Sequence, residues 1–163
     1  MKISLTRRVL LMGAFATLST LALPTALLRP AMAHQTNCPY CDMPVTQDTA
    51  TQDNEVALKY GHKRIEYKCV YCALSEAKTE YSDADLTITA PSETKGAPVV
   101  LKRTAGKWSA TPSTASFVAP AKIKHKVCEA QARAFSTQAV AQAYAAKNGG
   151  DVLTLDQLNA LAK

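Results

Sequence analysis

Five cysteines carry most of the chemistry that these 163 residues offer: Cys38, Cys41, Cys69, Cys72 and Cys128. Four fall into two Cys-x-x-Cys pairs, Cys38-Pro39-Tyr40-Cys41 and Cys69-Val70-Tyr71-Cys72, separated by 27 residues. Two residues between thiols let both sulfurs turn toward one point, as a shared metal or a tight disulfide requires. One such pair is a weak signal; two from distant segments, each beside a hairpin or knuckle, are a strong metal signature. Met43 follows Cys41 by two residues and is the one methionine after residue 33. A thioether is a poor ligand for zinc and a good one for soft Cu(I). Pro44 holds Met43 extended, and the loop around it is polar with no periodic apolar pattern. Met43 therefore reads as a ligand rather than as core.

Three chemistries fit the thiols. Four thiolates would close a tetrahedral structural zinc site and make an interaction domain built on four cysteines. Thiol-disulfide cycling fits Cys69 and Cys72 best, because they precede an expected helix whose N-terminus favours a thiolate. Cys-Pro-Tyr-Cys has the spelling of a glutaredoxin active site, but Pro44 stands where a following helix would need an amide. The third chemistry is Cu(I), with Cys38, Cys41 and Met43 as the first ligand group and Cys69 and Cys72 as further, exchangeable thiolates. Cys128 follows His125-Lys126-Val127 and reads as a buried thiol or as a further ligand facing the site. His62 and His125 read as surface residues.

The elements around these residues follow from apolar spacing. Residues 34–54, with Pro39 and Pro44, read as loop. Strands are expected at Glu55–Tyr60 and Arg64–Lys68 around Gly61-His62. A helix is expected over Cys69–Glu80 and a strand at Leu86–Ile88. The second half repeats the plan: a hairpin of Val99–Arg103 and Lys107–Ala110 around Ala105-Gly106, and a strand at Ala115–Ala119. An Ala-rich helix over Glu129–Lys147 ends at Asn148-Gly149-Gly150. A strand at Val152–Leu155 and a short helix over Asp156–Lys163 follow. The expectation is an α+β fold of two related ββαβ-like units in one small domain, with halves at about 37–95 and 96–163.

Residues 1–33 read as a signal peptide. Lys2, Arg7 and Arg8 precede an uncharged apolar run from Val9 to Leu28, and Ala31-Met32-Ala33 has the small-x-small form of a cleavage site. Thr6-Arg7-Arg8-Val9-Leu10 also resembles a twin-arginine signal. Cleavage would make His34 the new N-terminus and leave no membrane anchor. It would remove four of the 19 basic residues and none of the 13 acidic ones. The remaining charge is close to balanced and does not point to nucleic acid. No Ser/His/Asp set, paired carboxylates or phosphate loop appears, so binding rather than catalysis is expected.

Cys38-Pro39-Tyr40-Cys41-Asp42-Met43-Pro44-Val45, followed by a hairpin that runs through Tyr71-Cys72 into a helix, resembles the NosL family. So do Gly106-Lys107-Trp108, Ser116-Phe117-Val118 and Gly149-Gly150-Asp151-Val152-Leu153, and the likeness covers most of residues 37–155. NosL proteins are copper-binding accessory proteins of nitrous-oxide reductase assembly. The resemblance implies a periplasmic fold of two ββαβ-like units that holds Cu(I) and delivers it to a client copper enzyme or a membrane copper-handling protein. Cys41 and Met43 match the family's Cys-Gly-Met core, and Cys38 matches its commoner upstream cysteine. Asp42 stands in place of the glycine, the lipoprotein cysteine of many members is missing, and Cys69 and Cys72 make this chain richer in thiols.

Overall fold

The computed structural model describes residues 35–46, 56–119 and 132–163. The signal-peptide reading, His34, His125 and Cys128 fall outside them. The first element is a two-stranded antiparallel ribbon of β1 (Gln35–Asn37) and β2 (Pro44–Thr46). It lies inside the stretch expected to be loop. Three-residue strands have no room for an alternating pattern, and the ribbon is closed by its turn: the Cys38 amide donates to the Met43 carbonyl at 2.8 Å.

A five-stranded antiparallel sheet follows. Its strands are β3 (Val56–Tyr60), β4 (Lys63–Tyr67), β5 (Leu86–Ala90), β6 (Val99–Thr104) and β7 (Lys107–Thr111), in the order β4-β3-β5-β6-β7. The register places Ile65, Leu58, Ile88, Leu101 and Ala110 in one cross-strand row. Period-2 alternation turns that row to one face, and Leu58, Ile88 and Leu101 are fully buried. Helix α1 (Val70–Thr79) joins β4 to β5 and shares the same core; seven of its ten residues are buried. Arg103 fixes the far end of α1 by donating to the carbonyls of Ala77, Tyr81 and Ala84. Its guanidinium also lies over the Trp108 ring, 5.3 Å from the centroid.

A second sheet, in the order β10-β8-β9, consists of β8 (Ser116–Ala119), β9 (Arg133–Phe135) and β10 (Asp151–Leu153). Phe117 and Ala119 on β8 face the main core, while Val118 packs with Phe135 and Ala141. Helix α2 (Gln138–Asn148) connects β9 to β10, and α3 (Leu155–Leu161) closes the chain with Leu158 buried.

The α+β class is as expected. The first unit has the strands and helix expected, and the second is assembled from different strands. The first unit is β3-β4-α1-β5 and the second is β8-β9-α2-β10. In each, the first strand sits between the other two and runs antiparallel to both. The hairpin at 99–111, expected in the second unit, instead extends the first sheet. Leu86, Ile88 and Ala90 alternate in step with Arg103, Leu101 and Val99 across the β5–β6 register, so pairing there continues the buried row. The helix expected from Glu129 begins only at Gln138. Ser136 and Thr137 break it, and Thr137 caps it by accepting from the Val140 amide. Arg133–Phe135 is strand because it completes β8.

Candidate metal centre

The ribbon turn and the start of α1 meet, and three sulfurs meet with them. The Sγ atoms of Cys38, Cys41 and Cys72 all lie within 4.8 Å of one another. Ligands about 2.3 Å from a common ion stand about 3.8 Å apart in a tetrahedron. A small contraction would therefore bring these three onto one ion. Cys38 and Cys72 are 1% and 0% exposed, while Cys41 is half-buried at the surface. The site thus has two dry thiols and one that is partly open to solvent.

The local sequence explains the knuckle. Asp42 donates its amide to the Cys38 carbonyl at 2.8 Å and takes a left-handed conformation, φ 56°. Only a few side chains tolerate that region; Asp is among them because its short polar group bonds locally. Here the carboxylate accepts from the Asn37 side-chain amide at 3.0 Å. The turn is tied to the sheet by Lys68, whose buried ammonium donates to the Pro44 carbonyl at 2.9 Å. Val45, fully buried, anchors the other strand. Tyr40 and Tyr71 occupy the same place in the two Cys-x-Tyr-Cys motifs and meet edge to face, with ring centroids 6.0 Å apart.

The electrostatics favour a thiolate at the centre. Cys38 is lowered from 9.0 to about 5, first by the hydrogen bond from the Cys72 thiol. Burial opposes this, and the backbone amides of Lys68, Cys41 and Tyr40 add to it. A buried sulfur that collects several N–H and S–H donors is stabilised as the anion, the form that binds metal. Tyr67, fully buried nearby, is pushed the other way, chiefly by burial and then by Glu76. It stays a neutral phenol, and its hydroxyl has no hydrogen-bond partner among the described residues.

Of the residues expected to be ligands, Cys38, Cys41 and Cys72 come together. Cys69 stands beside them: its sulfur donates to Cys72 Sγ at 3.5 Å. All four are thiols. Met43 is half-buried on the same turn, and its carbonyl closes the knuckle through the Cys38 amide. His62 is exposed in the β3–β4 turn. The sequence reading did not single out Lys68 or Asp42 as supports. A lysine directly before Cys69 and an Asp inside the knuckle were the available signals.

No family model matches the chain, and no curated protein matches it. Among solved structures, it is similar to one described as the mercury-bound form of MerB2, with 18% sequence identity and a TM-score of 0.53. The match covers 66% of this chain and 55% of that one, so the chain spans about half the length of this neighbour. At that identity the likeness is one of fold. The fold is α+β, and the group of Cys38, Cys41 and Cys72 could hold a metal ion.

Proposed function

We propose that the chain is an exported Cu(I) carrier, a metallochaperone similar to the NosL proteins, that holds its ion through Cys38, Cys41 and Cys72 with Met43 as a soft fourth donor. One observation carries the reading: three cysteine sulfurs from two distant segments lie within 4.8 Å of one another. Thiolate and thioether together favour a soft ion such as Cu(I). The partly exposed Cys41 gives a carrier what it needs, a ligand that an acceptor can replace while the two buried sulfurs keep hold. The acceptor in this reading is a client copper enzyme, with nitrous-oxide reductase as the one the resemblance names, or a membrane copper-handling protein. Delivery takes place in the periplasm, and the chain itself performs no catalysis.

The test is a Cu(I) competition against bicinchoninate on the reduced protein, run alongside a Zn(II) titration. Copper should win the site, and Met43→Ala should weaken Cu(I) binding while Zn(II) binding stays intact. Unchanged Cu(I) affinity in Met43→Ala would remove Met43 from the site. A second reading, structural zinc, is favoured by the contact between Cys69 and Cys72, which puts a fourth thiol within reach of the ion. It predicts that chelation unfolds the domain, and a melt indifferent to chelator would end it.

A further inference from the structure

The sulfur of Cys72 has two neighbours of different kinds. On one side it belongs to the group with Cys38 and Cys41. On the other it lies 3.5 Å from Cys69 Sγ. Cys69 is the N-cap of α1 in an extended conformation, φ −156° and ψ 170°, and its side chain makes no capping bond. Cys72 is three residues on, in the first turn. A disulfide needs a sulfur separation of about 2.0 Å. The pair must therefore close by about 1.5 Å, a shift that small rotations of two side chains at a helix start can supply. Cys38 is held differently. Its backbone is bonded on both sides within the knuckle, by its own amide and by that of Asp42.

We propose that Cys69 is not a metal ligand but a lock, and that a reversible Cys69–Cys72 disulfide withdraws Cys72 from the metal group and lowers the hold on the ion. The proposal rests on the metal-site reading above and adds its regulation. The oxidant is a disulfide, RSSR, of a small thiol or of a dithiol oxidoreductase. The Cys69 sulfur gives up its proton and attacks one sulfur of RSSR. A Cys69–SR bond forms and RS⁻ leaves. The Cys72 sulfur, bound to the ion as a thiolate, then attacks Cys69 Sγ. The Cys69–Cys72 bond forms, the second RS⁻ leaves, and the ion keeps only Cys38 and Cys41 among the three. Two electrons pass from the two cysteines to RSSR. The Cys69 proton ends on one of the released thiolates, giving one RSH and one RS⁻. Reduction by a dithiol reverses every step. Metal and disulfide compete for one sulfur, so bound metal should protect the pair and oxidation should release the metal.

The experiment treats the full chain with oxidised glutathione, maps its disulfides by peptide mass spectrometry, and removes the glutathione. Oxidised and reduced forms are then titrated with Cu(I) against bicinchoninate. The expected map shows Cys69–Cys72. The expected loss of Cu(I) affinity on oxidation exceeds about tenfold, because even an outer partner of a ligand is worth about 10–100-fold. Cys69→Ser and Cys69→Thr should bind Cu(I) as the reduced wild type does and show no loss after oxidant. The Thr variant restores the kind of cap that starts α2 and guards against a folding defect. A dominant Cys38–Cys41 bond, or a bond to Cys128, overturns the proposal. So does an oxidised form that binds Cu(I) undiminished. A folded Cys69 variant that loses Cu(I) when reduced makes Cys69 a ligand and overturns it too. Failure of the reduced wild type to bind Cu(I) strikes the metal-site reading instead, and the disulfide map still reports on the lock.

Discussion

Helix α1 begins Cys69-Val70-Tyr71-Cys72 and helix α2 begins Thr137-Gln138-Ala139-Val140, at the same place in the same ββαβ topology. In α2 the Thr137 hydroxyl accepts from the Val140 amide, the ordinary way to satisfy an orphan donor. In α1 the N-cap side chain makes no capping hydrogen bond. Its first amide, that of Val70, is met instead by the Ala132 carbonyl at 3.3 Å, from the residue just before β9. The second unit's backbone thus supplies part of the cap that the first unit's side chain does not. Burial differs in the same sense: α1 buries seven residues and α2 buries Ala141 alone. A helix held by packing can spare its capping side chain, and a spared N-cap side chain can be a thiol.

Exchanging the junctions tests this most strongly. Copying α2 into α1 with Cys72→Val should lower Cu(I) affinity by more than about 100-fold, beyond the range seen for outer partners of ligands. The reciprocal Thr137→Cys/Val140→Cys pair should gain no comparable site in a bicinchoninate competition, because no knuckle faces α2 among the described residues. Tight Cu(I) binding by that variant with Cys38 and Cys41 replaced would break the comparison.

Packing should separate the helices next. Leu74→Ala in α1, where Leu74 is 0% exposed, should cost about 2–5 kcal/mol in urea unfolding. Val140→Ala in α2, where Val140 is half-buried, should cost less than about 1.5 kcal/mol, since partial burial loses only part of the transfer free energy. Equal losses would mean that both helices share one load. Thr137→Ala should cost about 1 kcal/mol through its cap. A loss near zero would show that α2, too, is held from elsewhere.

The last contrast is in pH. Cys38 is lowered to about 5 in the folded reduced protein, first by the Cys72 hydrogen bond. Unfolded, it keeps its proton up to its ordinary value near 9. The unfolded chain therefore binds more protons between those values, and stability rises with pH across that window. The contribution is complete above about 9 and lost as pH falls through about 5. Subtracting the Cys38→Ser profile from that of the wild type should leave this slope, and a flat difference would deny the thiolate.

Much of this site was legible because its signal is local. Each Cys-x-x-Cys states its own geometry, and the pairing of Cys38 and Cys41 with the start of α1 followed from two such statements. What the sequence hid was set at long range. Three-residue β1 and β2 carry no period and form because the knuckle closes between them. Strand β9 lay concealed in an Ala-rich run, although Ser136-Thr137 marked the true helix start with a capping residue. The hairpin at 99–111 looked like the opening of a repeat because it is next in sequence. Its partner was chosen by a buried row reaching across from β5, which no window around residue 99 contains. The division among the four paired cysteines, three grouped and Cys69 beside them, depends on how the ribbon meets the helix, and spacing alone does not specify it.

An ion shared by Cys38, Cys41 and Cys72 would also be a covalent-like strap. It would tie a short ribbon, held also by Val45, by the Lys68 contact to Pro44 and by Tyr40 against Tyr71, to a helix 34 positions away along the chain. In polymer terms it closes a loop of about 34 residues, and a cross-link of that span removes about 3–4 kcal/mol of freedom from the unfolded ensemble by the chain-entropy relation. Loaded and empty protein would then differ most in the amides of residues 35–46. A receiving protein could thus read cargo from the stiffness of one small ribbon, without touching the ion.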